Sequence, residues 1–575
     1  RGRKKIVANN ETIKTVCLNN MLLKSDCNFD DRNDYINNYT DKNIISEDND
    51  YFLYKNGRAG NKPTWVTDFD EKIWNGEIKS NFANTASEGL SVIKNIFYNE
   101  RNYLFAINFG QGRFNIVKEK IEDTFGIYTA IALIERGASI RRAGTRNISS
   151  NPKNTEFQSA QEISSDEFNS ELDDNDIIRH LNAIANSSTI SSVIGKYGPL
   201  NIRMRFTADE IPCWNFLNDR LINLIDLFEN IQDNSEVINN FFKGLRPLPN
   251  EKQNELNDAI INNLNSENSN FFLFEPEIDY DPTLIARIRY KLNNNPQERY
   301  ENDKLSLDYY LGLEKSGEQI DILKDKILLI NEDGNIYKDW SIYKCLYGEV
   351  KIDDQVYILS NSVWYGLPHS KYERIKQNIE DIYDDLQVDD LVKINTTNKI
   401  REKKLLQKAI EENSKPIDKE RIFNRELCNQ LSGELFDQIS KQIKIDDDKM
   451  EVCDIFDSNN KEFIHAKIGT KAATLSHLFN QGYASARAFA SMKDLFVQEV
   501  NKKLDNPENM LSTQKNSHQG YTIRYLIINS KADNKLTFIS KLSLDRIITD
   551  LKGFGYEVKL SWVNDIDLDP NIEAT

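Results

Sequence analysis

Short apolar runs of strand length recur through the second half of the chain and alternate with charged, helix-prone spans. Strand-like runs lie at residues 340–346, 350–352, 355–359, 363–365, 521–529 and 557–563, and helix-prone spans at 372–387, 418–442 and 544–554. The first four runs, separated by turn residues, predict an antiparallel meander. Since interleaved helices cover the faces of a sheet, residues 335–575 are predicted to form a mixed sheet flanked by helices.

The length of the chain limits how it can be organised. With 575 residues it exceeds what one hydrophobic core usually organises, so several domains are expected. No apolar run approaches the roughly 18 residues of a membrane helix. The basic opening at residues 1–5 is not followed by an apolar signal core. The fold class predicted is α/β, or α+β mixed, and multidomain, with no membrane as a partner.

The pattern along the chain predicts four segments. They are an N-terminal α/β domain at 1–150, an acidic linker or loop at 151–176, a helix-rich middle region at 177–334 and the C-terminal mixed α/β domain at 335–575. In the first, residues 90–97 are predicted to form a helix, 103–108 a strand and 123–134 a second helix. The linker is predicted because residues 147–176 are dense in Ser, Asn, Asp and Glu.

Charge and cysteine usage exclude several classes of protein. A net charge of −17 argues against a protein that coats nucleic acid nonspecifically, although it allows a local basic channel. Six cysteines are widely spaced without a Cys-x2-Cys pair, which argues against a zinc finger or a secreted disulfide scaffold. A reducing cytoplasm is the expected location.

The main candidate for chemistry is a short stretch that predicts two strands joined by a polar turn. It carries Asp454 on the first strand and His465 and Lys467 on the second. Since strand side chains alternate between faces, His465 and Lys467 should share a face, with Asp454 opposite them on the neighbouring strand. These three are the predicted catalytic residues, and a surface hairpin with solvated side chains is the competing interpretation.

This layout is typical of restriction-type nucleases, which makes a restriction-endonuclease-like C-terminal sheet one interpretation. In such enzymes carboxylates hold Mg²⁺ against the phosphate and a lysine positions the attacking water. The predicted metal ligands are Asp454 and His465, with Mg²⁺ or Mn²⁺ as cofactor. Glu426 or Glu434 on the preceding helix is the added carboxylate. Histidine stands where an acid is usual, and Glu451 or Glu462 could compensate for the missing charge.

A metal-free alternative remains open. In phospholipase D-type phosphodiesterases a His-x-Lys strand supplies the nucleophile, which here would be His465. Their usual aspartate five residues after the lysine would fall at Ala472, and one copy of the motif would require two chains to share a site. On the next helix His477 and Gln481 are four residues apart and could line the same cleft, or belong to a plain packing helix.

Two further features bear on ligands. Arg141, Arg142 and Arg146 lie in the densest basic cluster and are the candidate nucleic-acid contacts, unless they are solvated or paired with the acidic segment after them. No Walker-type or Gly-x-Gly-x2-Gly phosphate loop is present, so no nucleotide cofactor is predicted.

Several motifs carry a resemblance to a known family. They are Asn108-Phe-Gly-Gln-Gly-Arg113, Trp340-Ser-Ile-Tyr-Lys-Cys-Leu346, Tyr357-Ile-Leu-Ser-Asn-Ser-Val-Trp-Tyr365, Glu451-Val-Cys-Asp454, Ile464-His-Ala-Lys467 and Leu475-Ser-His-Leu-Phe-Asn-Gln-Gly482. With them the chain resembles, over nearly its whole length, a family of sporadically distributed bacterial proteins of unknown function. The resemblance assigns no catalytic residue. Its patchy distribution is similar to that of genes in mobile elements and defence islands.

The function predicted from these features is a metal-dependent nucleic-acid phosphodiesterase of a bacterial defence or mobile-element system. The alternative is a non-catalytic sensor or scaffold of such a system, in which Asp454, His465 and Lys467 need not converge. DNA or RNA is the predicted partner, and a protein partner or homo-oligomer stays open.

Overall fold

The computed structural model divides into two compact units. It describes residues 14–37, 39–40, 44–47, 51–56, 89–185, 190–206, 214–242, 245–264, 271–277, 280–315, 317, 319–352, 355–410, 417–445, 448–514, 516–529, 536–564 and 566. Unit 1 comprises Arg1–Asn147 and Lys153–Arg246, and unit 2 comprises Ile148–Pro152 and Pro247–Thr575. The chain therefore passes between units at 147–148, 152–153 and 246–247, whereas the predicted segments changed near 150, 176 and 334.

The described strands of unit 1 form a ten-stranded antiparallel sheet in the order β2-β3-β4-β5-β1-β10-β9-β8-β6-β7. The strands are β1 (Lys14–Leu22), β2 (Ile44–Glu47), β3 (Tyr51–Asn56), β4 (Gly89–Tyr98), β5 (Arg101–Gly110), β6 (Ser139–Asn147), β7 (Lys153–Ile163), β8 (Asp176–Ile184), β9 (Ile190–Lys196) and β10 (Leu200–Phe206). The helices are α1 (Phe125–Glu135), α2 (Ser165–Glu171), α3 (Trp214–Asp233) and α4 (Ser235–Phe242), with 3-10 turns at Phe29–Tyr35, Gln111–Phe114 and Lys118–Lys120. The main core of unit 1 lies between the sheet and α1, α3 and α4.

The predicted helix at 90–97 is wrong, because these residues belong to β4. The chain turns at Asn99 and Glu100, which have positive φ angles of 49° and 63°, and β4 then pairs with β5. Leu90 and Val92 enter one core and Ile93 enters the core on the other face. A strand buried on both faces loses the apolar–polar alternation that marks a strand, so its pattern imitated a helix. The predicted strand at 103–108 and helix at 123–134 are confirmed as β5 and α1.

The predicted loop at 151–176 is also wrong, since it contains β7 and α2. Strand β7 lies at the end of the sheet and pairs only with β6 among the described strands. An edge strand exposes much of its surface, so it tolerates the polar composition that suggested a loop. Likewise, the region 177–334 contains the helices expected near 216–228 and 256–264, but it also contains strands.

In its described residues, unit 2 contains three larger sheets and one separate hairpin. The described sheets have the orders β11-β19-β18-β17-β12, β14-β13-β15-β16 and β20-β23-β24-β25-β26, and β21 pairs with β22. The strands are β11 (Arg246–Pro247), β12 (Phe272–Leu273), β13 (Arg287–Lys291), β14 (Tyr300–Asn302), β15 (Lys326–Ile330), β16 (Ile336–Ser341), β17 (Leu346–Ile352), β18 (Gln355–Ser360), β19 (Val363–Gly366), β20 (Glu434–Leu435), β21 (Ile443–Ile445), β22 (Asp448–Met450), β23 (Ile455–Asp457), β24 (Glu462–Ile468), β25 (Thr522–Ile528) and β26 (Glu557–Val563).

Helices separate and cover these sheets. They are α5 (Asn250–Leu264), α6 (Leu307–Lys315), α7 (Ile342–Cys345), α8 (His369–Glu380), α9 (Asp390–Ile410), α10 (Lys419–Leu431), α11 (Ala472–Ser491), α12 (Lys493–Asn501) and α13 (Phe538–Gly553), with 3-10 turns at Pro282–Leu284, Ile439–Lys441 and Pro507–Asn509. The meander expected at 340–365 is confirmed as β17, β18 and β19, although residues 342–345 form α7. Within the described residues, no helix combines the length and apolarity needed to span a membrane.

The C-terminal sheet positions the candidate site. Strand β24 pairs antiparallel with β23 and parallel with β25, and β25 pairs parallel with β26. Ile464 and Ala466 of β24 pack in one core with Ile422 and Phe423 of α10, and Val392 of α9 joins the same core. On β25, Tyr525 contacts Phe479 of α11. The expected mixed sheet flanked by helices is confirmed, and it belongs to a mixed α/β multidomain protein.

Candidate functional site

Strand β24 extends beyond the end of β23, and two carboxylates take the place of the missing neighbour. The pairing of β23 with β24 ends at Ile464. The next outward-facing backbone groups donate to side chains instead: Ala466 N–H to Asp454 Oδ2 at 2.7 Å, and Ile468 N–H to Glu420 Oε2 at 3.0 Å. Because an unpaired strand N–H is costly when shielded from water, these bonds fix both carboxylates at the end of β24.

Lys467 joins the same group from β24 itself. Its Nζ lies 2.7 Å from Glu420 Oε1, and the two side chains are 28% and 23% exposed. Burial lowers the pKa of Lys467, but the bond to Glu420 and the charges of Asp454 and Glu451 outweigh it and raise the pKa above its ordinary value. Lys467 is therefore a charged ammonium that remains accessible from solvent.

Asp437 adds a third acid. It follows β20, donates its backbone N–H to Asp454 O at 3.2 Å and accepts a bond from Asn424 Nδ2 at 3.0 Å. Burial raises its pKa, and Asp418 and Glu420 add repulsion. We call Glu420, Asp437, Asp454 and Lys467 the carboxylate–lysine cluster.

Asp454 is the most perturbed acid of the carboxylate–lysine cluster. Burial raises its pKa to about 8, and repulsion from Asp437 and Glu420 adds to the effect. The bond from Ala466 N–H and the charge of Lys467 oppose the shift without cancelling it. Asp454 therefore exchanges a proton near neutral pH, as a catalytic base or a ligand awaiting a cation would.

His465 does not join this group, contrary to prediction. The side chain is only 2% exposed and lies beside the ring of Tyr525, 6.3 Å between centroids. Burial lowers its pKa to about 3, and within the described residues its Nε2 atom has no hydrogen-bond partner. A neutral imidazole sealed in the core meets neither a metal nor a phosphate, so it does not fit the predicted roles of metal ligand and nucleophile.

The two predicted helper acids lie elsewhere. Glu426 faces α9, where it pairs with Lys399 Nζ and accepts a bond from Asn395 Nδ2 at 3.3 Å. Glu434 is 3% exposed, begins β20 and accepts the backbone N–H groups of Asp505 and Asn506 at 2.9 and 2.8 Å. Both carboxylates serve local structure, and Glu420 takes the place predicted for them.

The remaining supporting residues are only partly brought together. Gln481 Nε2 donates to Glu451 Oε2 at 2.6 Å, so these two meet as expected of residues lining one cleft. The charge of Glu451 also raises the pKa of Lys467. His477 is exposed on α11. Glu462 does not compensate for His465, because it pairs with Arg524 at the opposite end of β24.

The arginine cluster is divided by its strand. Arg141 and Arg142 are exposed on β6, and Arg142 Nε lies 3.4 Å from Glu156 Oε2. Arg146 is 1% exposed and donates to Asn154 Oδ1 at 2.7 Å. Because Arg146 is buried inside unit 1, the three side chains do not form one basic surface.

The acids of the carboxylate–lysine cluster fit a Mg²⁺ site better than a metal centre with three protein ligands. Across the described part of the chain, no three His, Cys, Asp or Glu side chains are grouped so as to hold a metal ion. Mg²⁺, however, is commonly bound by one or two carboxylates, with water and substrate phosphates completing its shell. The crowded pair Asp437 and Asp454 fits that limited demand, whereas a three-ligand centre does not fit.

Comparison with known proteins yields a family without an activity. The model of a family of unknown function, DUF6119, matches residues 18–564. Searches of curated proteins and of solved structures gave no match. The expected membership of a family of unknown function is thereby confirmed, and any statement of activity has to come from the site itself.

Proposed function

We propose that this chain, which belongs to the DUF6119 family of unknown function, is a nucleic-acid phosphodiesterase. The observation that carries the proposal is the ammonium of Lys467 held 2.7 Å from Glu420, beside the perturbed carboxyl of Asp454. A helix, the residue directly before one strand and the end of the next strand supply these groups, and this similarity to the layout of restriction-type nucleases supports the proposal. Phosphodiester hydrolysis needs a proton acceptor and a cation at the phosphate, and both are present.

Each residue has a definite task in this proposal. Asp454, with a pKa of about 8, accepts the proton of the attacking water once it is ionised. Lys467 has three donors, so with Glu420 engaged by one the others can bond a non-bridging phosphate oxygen and stabilise the charge that develops there. Glu420 holds the ammonium in place through its second bond to Ile468 N–H.

A divalent cation is the proposed cofactor, Mg²⁺ or Mn²⁺. When bound, such an ion polarises the phosphate and lowers the pKa of a bound water. Asp437 and Asp454 would hold it, and the charge of the ion would lower the raised pKa values of both acids. The setting that fits these properties is the cytoplasm of a bacterium, in a defence or mobile-element system, as the family resemblance implied.

A second candidate is a non-catalytic sensor or scaffold. It is favoured by the bonds from Ala466 and Ile468 N–H, because a carboxylate that terminates a sheet edge has a structural use without any catalysis. On this alternative the raised pKa of Asp454 is a tolerated cost of burial.

Cleavage of labelled single- and double-stranded DNA and RNA decides between the two candidates. Purified wild type is compared with Lys467→Ala and with Lys502→Ala, a control for the loss of one exposed lysine, in Mg²⁺, Mn²⁺ or EDTA. We expect metal-dependent cutting that falls by about 10²-fold or more in Lys467→Ala and persists in Lys502→Ala. No cutting of any substrate by wild type would favour the non-catalytic candidate.

A further inference from the structure

We infer that the groove between α9 and α10 binds the phosphate backbone of the nucleic acid that the carboxylate–lysine cluster cleaves. The inference rests on the proposed function and names the surface that the substrate follows. The groove has a volume of about 540 Å³. Its lining residues are Lys399, Glu402, Lys403, Leu406, Asp418, Arg421, Ile422, Arg425 and Glu426.

The groove lining has four cations and three acids, and so an excess of positive charge, in a chain that is acidic as a whole. In sequence, α9 holds six Lys and Arg residues and two acids, whereas the whole chain has a net charge of −17. Lys399 and Lys403 are four residues apart on α9, as are Arg421 and Arg425 on α10. Residues at that spacing share a helix face, so two exposed pairs of cations line the groove.

The acids of the groove leave most of this charge available. Glu426 is occupied by Lys399, and Asp418 caps α10 by accepting a bond from Arg421 N–H at 3.0 Å. Glu402 is exposed on α9. Among the described residues, no ion pair within 4.0 Å engages Lys403, Arg421 or Arg425. These three cations have no carboxylate partner in the described part of the chain, and such cations suit contact with a chain of phosphates.

The groove and the proposed catalytic site share the first turn of α10. Asp418 and Arg421 line it, and Glu420 lies between them in the first turn of α10. The charge of Asp418 raises the pKa of Asp437 and the charge of Arg421 lowers it. A backbone lying along the groove would therefore reach the carboxylate–lysine cluster within one turn of helix, about 5.4 Å.

The spacing of the cations favours a polymer over a single small anion. Two cations on each helix lie one turn apart, which provides successive points of charge along the groove. A free phosphate or nucleotide would use one pair and leave the other unused. Charge without aromatic side chains also predicts contact with the backbone and not with bases, and therefore little dependence on sequence.

Fluorescence anisotropy in EDTA tests the inference with labelled single- and double-stranded oligonucleotides of DNA and RNA over a KCl series. Wild type is compared with Lys403→Ala/Arg425→Ala and with Arg287→Ala/Lys326→Ala, which removes the same charge from β13 and β15. We expect the groove variant to bind about tenfold more weakly, with a salt slope smaller by about 1 to 2, and the control to match wild type. Thermal melting verifies that both variants fold.

The outcomes separate this inference from the proposed function. Wild type that binds none of the oligonucleotides, a groove variant that binds as well as wild type, or a control that loses as much would each overturn the groove. Binding lost in the groove variant, with no cleavage in Mg²⁺ or Mn²⁺, would support the groove and contradict the phosphodiesterase. Cleavage by wild type that is unchanged in the groove variant would support the phosphodiesterase and contradict the groove.

Discussion

The two ends of β24 differ in how evenly acids and cations are matched. At its start, Glu462 is 6% exposed and bonds Arg524 Nε at 2.7 Å and Lys559 Nζ at 3.0 Å. Arg524 also bonds Asp384 at 2.7 Å, so two acids meet two cations. At its end, the carboxylate–lysine cluster contains three acids and one cation, Lys467.

The pKa shifts follow from this difference in balance. Burial raises the pKa of Glu462, but its bonds to Arg524 and Lys559 outweigh burial, so the pKa falls below its ordinary value. For Asp454, the bond from Ala466 N–H and the charge of Lys467 do not outweigh burial, and its pKa rises to about 8. A balanced buried network stabilises one conformation, whereas an excess of acid retains affinity for a proton or a cation. The unbalanced end of β24 is therefore the end at which chemistry is expected.

The largest effect should come from breaking the balanced end. In Arg524→Met the carboxylate of Glu462 loses its main partner inside the protein. We expect the free energy of unfolding of unit 2 to fall by about 3–5 kcal/mol, the usual cost of breaking a buried ion pair by removing one partner. Urea denaturation followed by circular dichroism measures it. A loss below about 1 kcal/mol would mean that the network is not buried as described.

Acid should destabilise the protein through His465, which lies between the two ends. Its pKa of about 3 in the folded chain lies below the roughly 6.5 of an unfolded chain. As the pH falls from about 6.5 towards 3, the unfolded state takes up a proton that the folded state refuses, so stability is lost. His465→Leu should remove about 3 kcal/mol of this loss at pH 4, as measured by urea denaturation at several pH values. An unchanged pH profile would place His465 in contact with water.

The unbalanced end should show the opposite pH dependence. The pKa of Asp454 is about 8 in the folded state and about 3.9 in the unfolded state. Between these values the unfolded state ionises first, so stability is lost as the pH rises and the loss is complete above about 8. Asp454→Asn should gain about 1 kcal/mol or more over wild type at pH 8 and nothing at pH 4. Thermal melting of Asp454→Asn and wild type at pH 4 and pH 8 measures the difference. An equal difference between the two proteins at both pH values would contradict the raised pKa of Asp454.

The smallest stability effect is expected at the pair Glu420 and Lys467. Both side chains are about a quarter exposed, and solvent-accessible ion pairs contribute roughly 0–1 kcal/mol. Lys467→Met should therefore unfold within about 1 kcal/mol of wild type by the same denaturation assay. A loss as large as that of Arg524→Met would show that Lys467 is mainly structural.

The sequence predicted the strands that form the candidate site better than it predicted the side chains that meet there. Strand alternation and the turn at 458–461 placed Asp454 next to the strand of Lys467, which is confirmed by the bond to Ala466. The added acid was predicted at Glu426 or Glu434, whereas the acid that pairs with Lys467 is Glu420. Six residues along a helix rotate a side chain by about 240°, so Glu420 and Glu426 face different directions. The sequence pattern did not determine which of these faces of α10 meets the end of β24.

His465 and Asp437 show why local patterns could not complete the site. Alternation gives His465 and Lys467 the same face, but α11 covers the middle of β24 and leaves its end accessible. That difference depends on a helix that follows in the chain and on the length of β23. Asp437 lies in an irregular segment after a two-residue strand, where no periodic pattern marks a side chain as facing the site.

The most direct test compares lysines from the two ends of β24 in one cleavage assay. Wild type, Lys467→Ala and Lys559→Ala are incubated with labelled DNA and RNA in Mg²⁺ or Mn²⁺, and initial rates are measured. The unbalanced end is the working end if Lys467→Ala loses about 10²-fold in rate while Lys559→Ala cuts like wild type. Equal losses in the two variants, or no cutting by wild type with either metal, would contradict the account.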